Sequence, residues 1–199
     1  MLEVGTQKPA SEIRFVKVGK GRIALYHRPR HDTFTTARRM GCTHVVTLLK
    51  DIEFAERYGE QAKTAGLEWF WLPVPNGKYP DGEVNERLLQ AMPELSRLLD
   101  EGKSLIIHCS AGIHRTGTVA YGLLRWRGVT SERAMQIIAA SRKETAEGMM
   151  AKRMKWGDDN ARPPAQPQDA PWITSVKEFA RRLRTRLFKP RWTPTPNAD

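Results

Sequence analysis

Three short runs rich in apolar and β-branched residues, Thr43–Leu49, Leu67–Val74 and Ser104–His108, are separated by stretches of helical periodicity. Strands that alternate with helices need crossover connections, so these three belong parallel in one sheet with helices packed on its faces. The fold class is α/β, with a central, mostly parallel sheet flanked by helices. Local signals agree. Asp32 caps a helix to Met40 that Gly41 stops, and Asp51 begins another with Phe54, Tyr58, Ala62 and Ala65 on one face and Gly66 at its end. Val84, Leu88, Met92, Leu95 and Leu99 mark a third helix, which Pro93 must kink or divide. Phe15–Val18 and Arg22–Tyr26 flank Gly19-Lys20-Gly21 as a hairpin, and helices are predicted over Arg115–Trp126 and Ser131–Arg142.

At 199 residues the chain holds one full core and not two ordinary domains. The reading is an N-terminal arm over residues 1–12, a catalytic domain over 13–150, a Pro-rich linker over 151–171 and a basic amphipathic helix and tail over 172–199. In that last helix Trp172, Val176, Phe179, Leu183 and Leu187 share one face, and Arg181, Arg182, Arg184 and Arg186 cover much of the rest. From Ala151 onward, 11 Lys or Arg stand against five Asp or Glu, so about 6 of the net charge of +11 lies there. Such a segment suits an acidic partner, anionic lipid or RNA, or simply a solvated face. Met1–Ser11 lacks the apolar core of a signal peptide, and Leu67–Val74, the longest apolar stretch, is far below spanning length. Two cysteines, Cys42 and Cys109, form no disulfide framework and show no paired metal-ligand spacing. A soluble cytoplasmic protein is predicted.

The chemistry concentrates in His108-Cys109-Ser110-Ala111-Gly112-Ile113-His114-Arg115-Thr116-Gly117, between a strand and a helix. This segment resembles the protein-tyrosine and dual-specificity phosphatase superfamily, whose pattern is His-Cys, five residues, Arg, Ser or Thr, Gly. Physical chemistry supports the same roles. A loop closing onto a helix N-terminus aims backbone N–H groups at one spot, where the helix dipole also favours negative charge. Ser110 through Arg115 would bind phosphate there. Such a field lowers a cysteine pKa from about 8.5 to roughly 3.5–7.5, making Cys109 a nucleophile. Arg115 brings a planar fork to two phosphate oxygens, and the Thr116 hydroxyl reaches the sulfur. His108 braces the loop through backbone carbonyls, Gly112 and Gly117 allow tight positions, and His114 either adds a donor at the pocket rim or faces solvent, with solvent the favoured reading. No metal or cofactor is required.

The resemblance also implies a general acid, an aspartate on a loop roughly thirty residues before the cysteine. Asp81, 28 residues before Cys109, is the candidate, with Asp51 and Asp100 as competitors that look like helix caps. A looser similarity to dual-specificity phosphatases runs from about Arg22 to Arg142, and the compact length favours that type. The predicted activity is hydrolysis of phosphate monoesters through a phosphocysteine, on phosphotyrosine and phosphoserine or phosphothreonine in proteins. Phosphoinositide or RNA 5′-phosphate chemistry is the alternative, and a catalytically dead phosphate-binding module a third. Arg28, Arg30 and His31 would line the substrate entrance or form an exposed basic turn. Cys42 is read as a buried strand residue, with a protective disulfide to Cys109 as the other reading.

Overall fold

The structure is a computed structural model that describes residues 12–76 and 78–162. The helix predicted from Trp172 onward and most of the N-terminal arm lie outside the described residues. Five strands, β1 (Val16–Val18), β2 (Gly21–Tyr26), β3 (His44–Thr47), β4 (Glu68–Trp71) and β5 (Ser104–His108), form one sheet in the order β1-β2-β5-β3-β4. Only β1 is antiparallel, pairing with β2 across the Gly19–Gly21 hairpin. β2, β3, β4 and β5 are parallel, so the hairpin joins the main sheet through β2, a link that local periodicity does not reveal. β5 is central and wholly buried, which explains its unbroken Leu105-Ile106-Ile107 run. Tyr26, Thr47 and His108 end level, because both Tyr26 and Thr47 pair with His108. Their following loops therefore meet at the carboxyl edge of the sheet, the usual crevice of open α/β folds.

Seven helices complete the described chain: α1 (Thr33–Arg39), α2 (Ala55–Thr64), α3 (Gly82–Asp100), α4 (His114–Trp126), α5 (Ser131–Ser141), α6 (Lys143–Glu147) and α7 (Ala151–Asp159). α2 packs on β3 and β4, whereas α3, α4 and α5 cover β2 and its neighbours. α3 runs unbroken through Pro93, so of the two expected outcomes, a kink or a division, the helix is not divided. Leu88, Met92, Leu95, Leu98 and Leu99 are buried along its face, and that packing outweighs the one hydrogen bond a proline removes. The helix expected from Asp51 instead starts as a 3-10 turn, Asp51–Glu53, followed by Phe54 in the left-handed region, before α2 begins.

α4 is buried from Arg115 through Leu124, a condition met because sheet, α3, α5 and α7 surround it. The linker predicted from residue 151 is corrected here: Ala151–Asp159 is helical and docks on α4. Trp156 is almost fully buried against Gly122, where an added Cβ would come within 2.1 Å of its ring. Its indole Nε1 donates to Asn85 Oδ1 on α3 at 2.8 Å, and Tyr121 Oη donates to Asp158 Oδ1 at 2.7 Å. Among the described residues no helix is long and apolar enough to cross a membrane.

Candidate active site

β5 delivers Cys109 to the sheet's carboxyl edge, and the chain turns through Ser110–Ile113 into α4. Gly112 makes the turn possible. It has φ +69°, and a Cβ there would lie 2.5 Å from Tyr26 O, so both conformation and space demand glycine. The loop is pinned from outside: Arg28 N donates to Ser110 O at 2.9 Å, and Thr145 Oγ1 donates to Gly112 O at 2.5 Å. Gly117 lets α6 and the residues just after it approach, since a Cβ at that position would meet Met149 Sδ at 2.5 Å and Thr145 Cγ2 of α6 at 3.2 Å.

Two donors converge on the Cys109 sulfur. Gly112 N lies 3.2 Å from it and Thr116 Oγ1 3.1 Å. Arg115 returns across the loop, and Nη2 donates to Ser110 Oγ at 2.8 Å. Its guanidinium also forms a forked pair with Glu53, Nη1 to Oε2 at 2.6 Å and Nη2 to Oε1 at 2.8 Å. The Arg115 side chain is only 3% exposed. Burial by itself would lower its pKa, but the Glu53 bonds and the neighbouring Cys109 carry it upward. Glu53, in turn, is held below the ordinary carboxylate range by its hydrogen bonds to Arg115. Nothing in the sequence around Glu53 marks this role, because its partner stands 62 residues away and is reached only through β3–β5 pairing.

His108 is fully buried and its pKa falls to about 3, chiefly through loss of solvation. Its Nε2 meets a side chain, where bonds to backbone carbonyls were predicted. Trp69 Nε1 donates to Thr47 Oγ1 at 2.9 Å, and Thr47 Oγ1 lies 2.8 Å from His108 Nε2. Indole is a donor only, so Thr47 Oγ1 accepts from it and has both a proton and a second lone pair left for Nε2, while Nδ1 has no hydrogen-bond partner among the described residues. His108 thus stays neutral.

Asp81 is the exposed N-cap of α3 and makes no side-chain capping bond. The residue before it, Pro80, lines a cavity beside Arg115. Asp51 lies two residues from Glu53 on the same edge of the sheet. Asp100 ends α3 at the opposite edge, paired with Arg127 Nη2 at 2.7 Å, and is removed from the loop. His114 is half-buried and lines the same cavity as Pro80, a place nearer the pocket-rim reading than the solvent-facing one. Arg28 and Arg30 are exposed after β2, and the Arg28 charge is felt at Glu53 and His108. Cys42 precedes β3 at the edge away from Cys109, its thiol donating to His44 O at 3.3 Å and Ser104 O at 3.5 Å. Burial pushes its pKa up to about 11. Both cysteines are free thiols.

Residues 12–163 match the family model described as PTP-SAK, Swiss Army Knife protein, DSP-PTPase phosphatase domain. The chain belongs to this family. It is a cysteine-dependent phosphatase of the dual-specificity superfamily. No curated protein matches the chain. Among solved structures, the active form of Tk-PTP is 26% identical, with TM-score 0.58 over 70% of this chain and 91% of that one. PTPMT1 is 15% identical, with TM-score 0.56 over 86% and 99%. The core catalytic domain of the PP-IP phosphatase SIW14 from S. cerevisiae is 16% identical, with TM-score 0.53 over 89% and 96%. The last two likenesses are of fold.

Proposed function

We propose that this PTP-SAK domain hydrolyses phosphate monoesters in two displacements at Cys109, with phosphotyrosine in peptides as the first substrate and phosphoserine or phosphothreonine as slower ones. The observation that carries the reading is the pair of donors, Gly112 N and Thr116 Oγ1, aimed at one sulfur beside a guanidinium already oriented by Glu53. In the first step the Cys109 thiolate attacks phosphorus, the S–P bond forms and the P–O bond to the leaving group breaks. Asp81 gives its proton to the departing oxygen. In the second step water attacks phosphorus, its proton goes to Asp81, and the S–P bond breaks with Thr116 stabilising the thiolate. Arg115 and the loop amides hold the three equatorial oxygens throughout, and Glu53 acts as a positioning residue for Arg115. His108 supports the loop as a neutral group. Cys109 is 2% exposed, so phosphorus must reach the floor of the loop, and a tyrosyl ring provides more reach than a seryl or threonyl chain.

Acid-quenched turnover followed by mass spectrometry should trap phosphate on Cys109. Cys109→Ser should show no turnover yet retain its fold, because a serine hydroxyl is not ionised near neutral pH. EDTA should leave the rate unchanged. Substantial activity in Cys109→Ser would overturn the mechanism, and faster turnover of phosphoinositide or triphosphorylated RNA than of phosphotyrosine peptide would overturn the substrate.

A further inference from the structure

Between the 74–80 segment and the start of α7 lies a cavity of about 170 Å³. Its charged lining consists of Lys78, Arg115, Lys152 and Arg153, with the imidazole of His114 beside them, and no carboxylate is among the residues that line it. A water molecule takes up about 30 Å³ in the liquid, so the space holds several waters or an anion with part of its hydration. Arg115 and His114, at the end of the loop, line the cavity, and Cys109 does not. It is therefore a compartment beside the Cys109 loop.

The placement of these cations is unusual on elementary grounds. Lys152 and Arg153 stand in the first turn of α7, and His114 and Arg115 in the first turn of α4; neither turn holds an acidic residue. Helix N-termini bear positive partial charge, so anions are favoured there and cations are not. Two such ends, each decorated with bases, converge here with Lys78. Arg153 is tethered at the rim by a hydrogen bond to Gly148 O. The resulting field is felt at His114, whose pKa is lowered by burial first and then by Arg153, Lys152 and Arg115. Glu53, the acid that meets Arg115, is occupied on the other side by its forked pair. The fold thus carries a repulsion that a bound anion would relieve.

We propose that this cavity is a second anion subsite, which holds a second phosphate group of a substrate whose first phosphate lies in the Cys109 loop. The inference rests on the phosphatase reading above and narrows its substrate class to compounds bearing two phosphates a short span apart. Arg115 bonds to Ser110 in the loop and also lines the cavity, which couples occupation of one to the other. A compound with a single phosphate uses the loop alone.

Phosphonates test this without turnover, because their P–C bond is not hydrolysed. Binding of methylphosphonate and of alkane-bisphosphonates of graded length is measured by titration calorimetry on the full wild-type chain and on Lys78→Glu and Lys152→Glu. Linking two anions for two adjacent subsites makes the second contact intramolecular, so one length should bind about tenfold or more tighter than methylphosphonate. That gain should vanish in both charge reversals; Lys78→Gln and Lys152→Gln, which should shrink it, replace either variant whose melting curve shows misfolding. No gain at any length, or a gain that survives the substitutions, overturns the subsite. The carrier of the two phosphates is read from two substrate pairs, a singly and a doubly phosphorylated peptide, and an inositol mono- and bisphosphate. Preference for the doubly phosphorylated member of either pair supports the subsite, and equal kcat/KM within both pairs overturns it. Failure of the phosphatase reading is separate: it would appear as turnover that survives Cys109→Ser, while the phosphonate titration still decides the subsite.

Discussion

Glu53 and Arg115 meet through two short hydrogen bonds on a side chain that is almost wholly buried, and the consequences of substitution follow from that geometry. Removing one partner of such a pair leaves the other charge uncompensated, at a cost of about 3–5 kcal/mol. Glu53→Ala should therefore lower Tm, and added phosphate should restore more of the loss than it adds to the wild type, because the anion replaces the missing carboxylate. Equal phosphate shifts in the two proteins would show that Glu53 does not position Arg115. Arg115→Lys keeps the charge but cannot bond Glu53 and an oxyanion with one planar fork, so kcat should fall by about a hundredfold or more. At Asp81, the proposed acid, Asp81→Asn should slow phosphopeptide turnover by about a hundredfold, the usual scale for proton transfer, with a smaller loss on activated aryl phosphates whose phenolate leaves unaided. The control is Asp51→Asn, on the same edge of the sheet. If that variant shows the leaving-group-dependent loss and Asp81→Asn does not, the assignment passes to Asp51.

α7 binds to α4 through a notch in each helix. Gly122 receives the Trp156 ring and Gly157 receives Tyr121, whose ring a Cβ at Gly157 would meet at 2.6 Å. Gly122→Ala forces that ring to move and should cost about 1–3 kcal/mol, the range for overpacking a close-packed core. Thermal melts of Gly122→Ala and wild type check this. Trp156→Ala should cost more, about 3–5 kcal/mol, since it empties the notch and also breaks the bond to Asn85 on α3. The same docking sets Lys152 and Arg153 beside the cavity, so these core substitutions should also weaken any bisphosphonate preference. At the sheet, Trp69, Thr47 and His108 form one chain of hydrogen bonds across β4, β3 and β5. Thr47→Val preserves shape but strands the indole N–H and the imidazole nitrogen, at about 1–3 kcal/mol for each buried group.

For the molecule as a whole, the groups with lowered pKa predict sensitivity to acid. Unfolded, His108 takes up a proton near pH 6.5; folded, it resists protonation down to about 3. Between those values the unfolded chain binds the additional proton, so stability is full above about 6.5 and declines as pH falls. His27, His44 and His114 are shifted the same way, first by burial, and steepen the decline. Glu53 adds a later loss: its contribution is present above the ordinary value of 4.5 and disappears as pH drops through its lowered one. Urea unfolding from pH 7 to 4 should show ΔG falling, with a shallower slope in His108→Gln; equal slopes would mean that His108 is not buried as a neutral group. How far this was readable in advance depends on the range of the interactions. The strands and helices themselves, the strand-loop-helix around Cys109 and the conformation required of Gly112 are local, since each follows from periodicity and residue type within a few positions. Cys109, Arg115 and Thr116 were legible because one tight loop brings them together within seven residues. Tertiary structure alone decided the rest. Glu53 reaches Arg115 only through strand pairing, and Ala151–Asp159 looks like charged linker until Gly122 supplies a seat for Trp156. Lys78, Arg115 and Lys152 are scattered cations in the chain, and their common field exists only once α4 and α7 point their N-termini at the same cavity, because electrostatic energy depends on distance in space and not along the sequence.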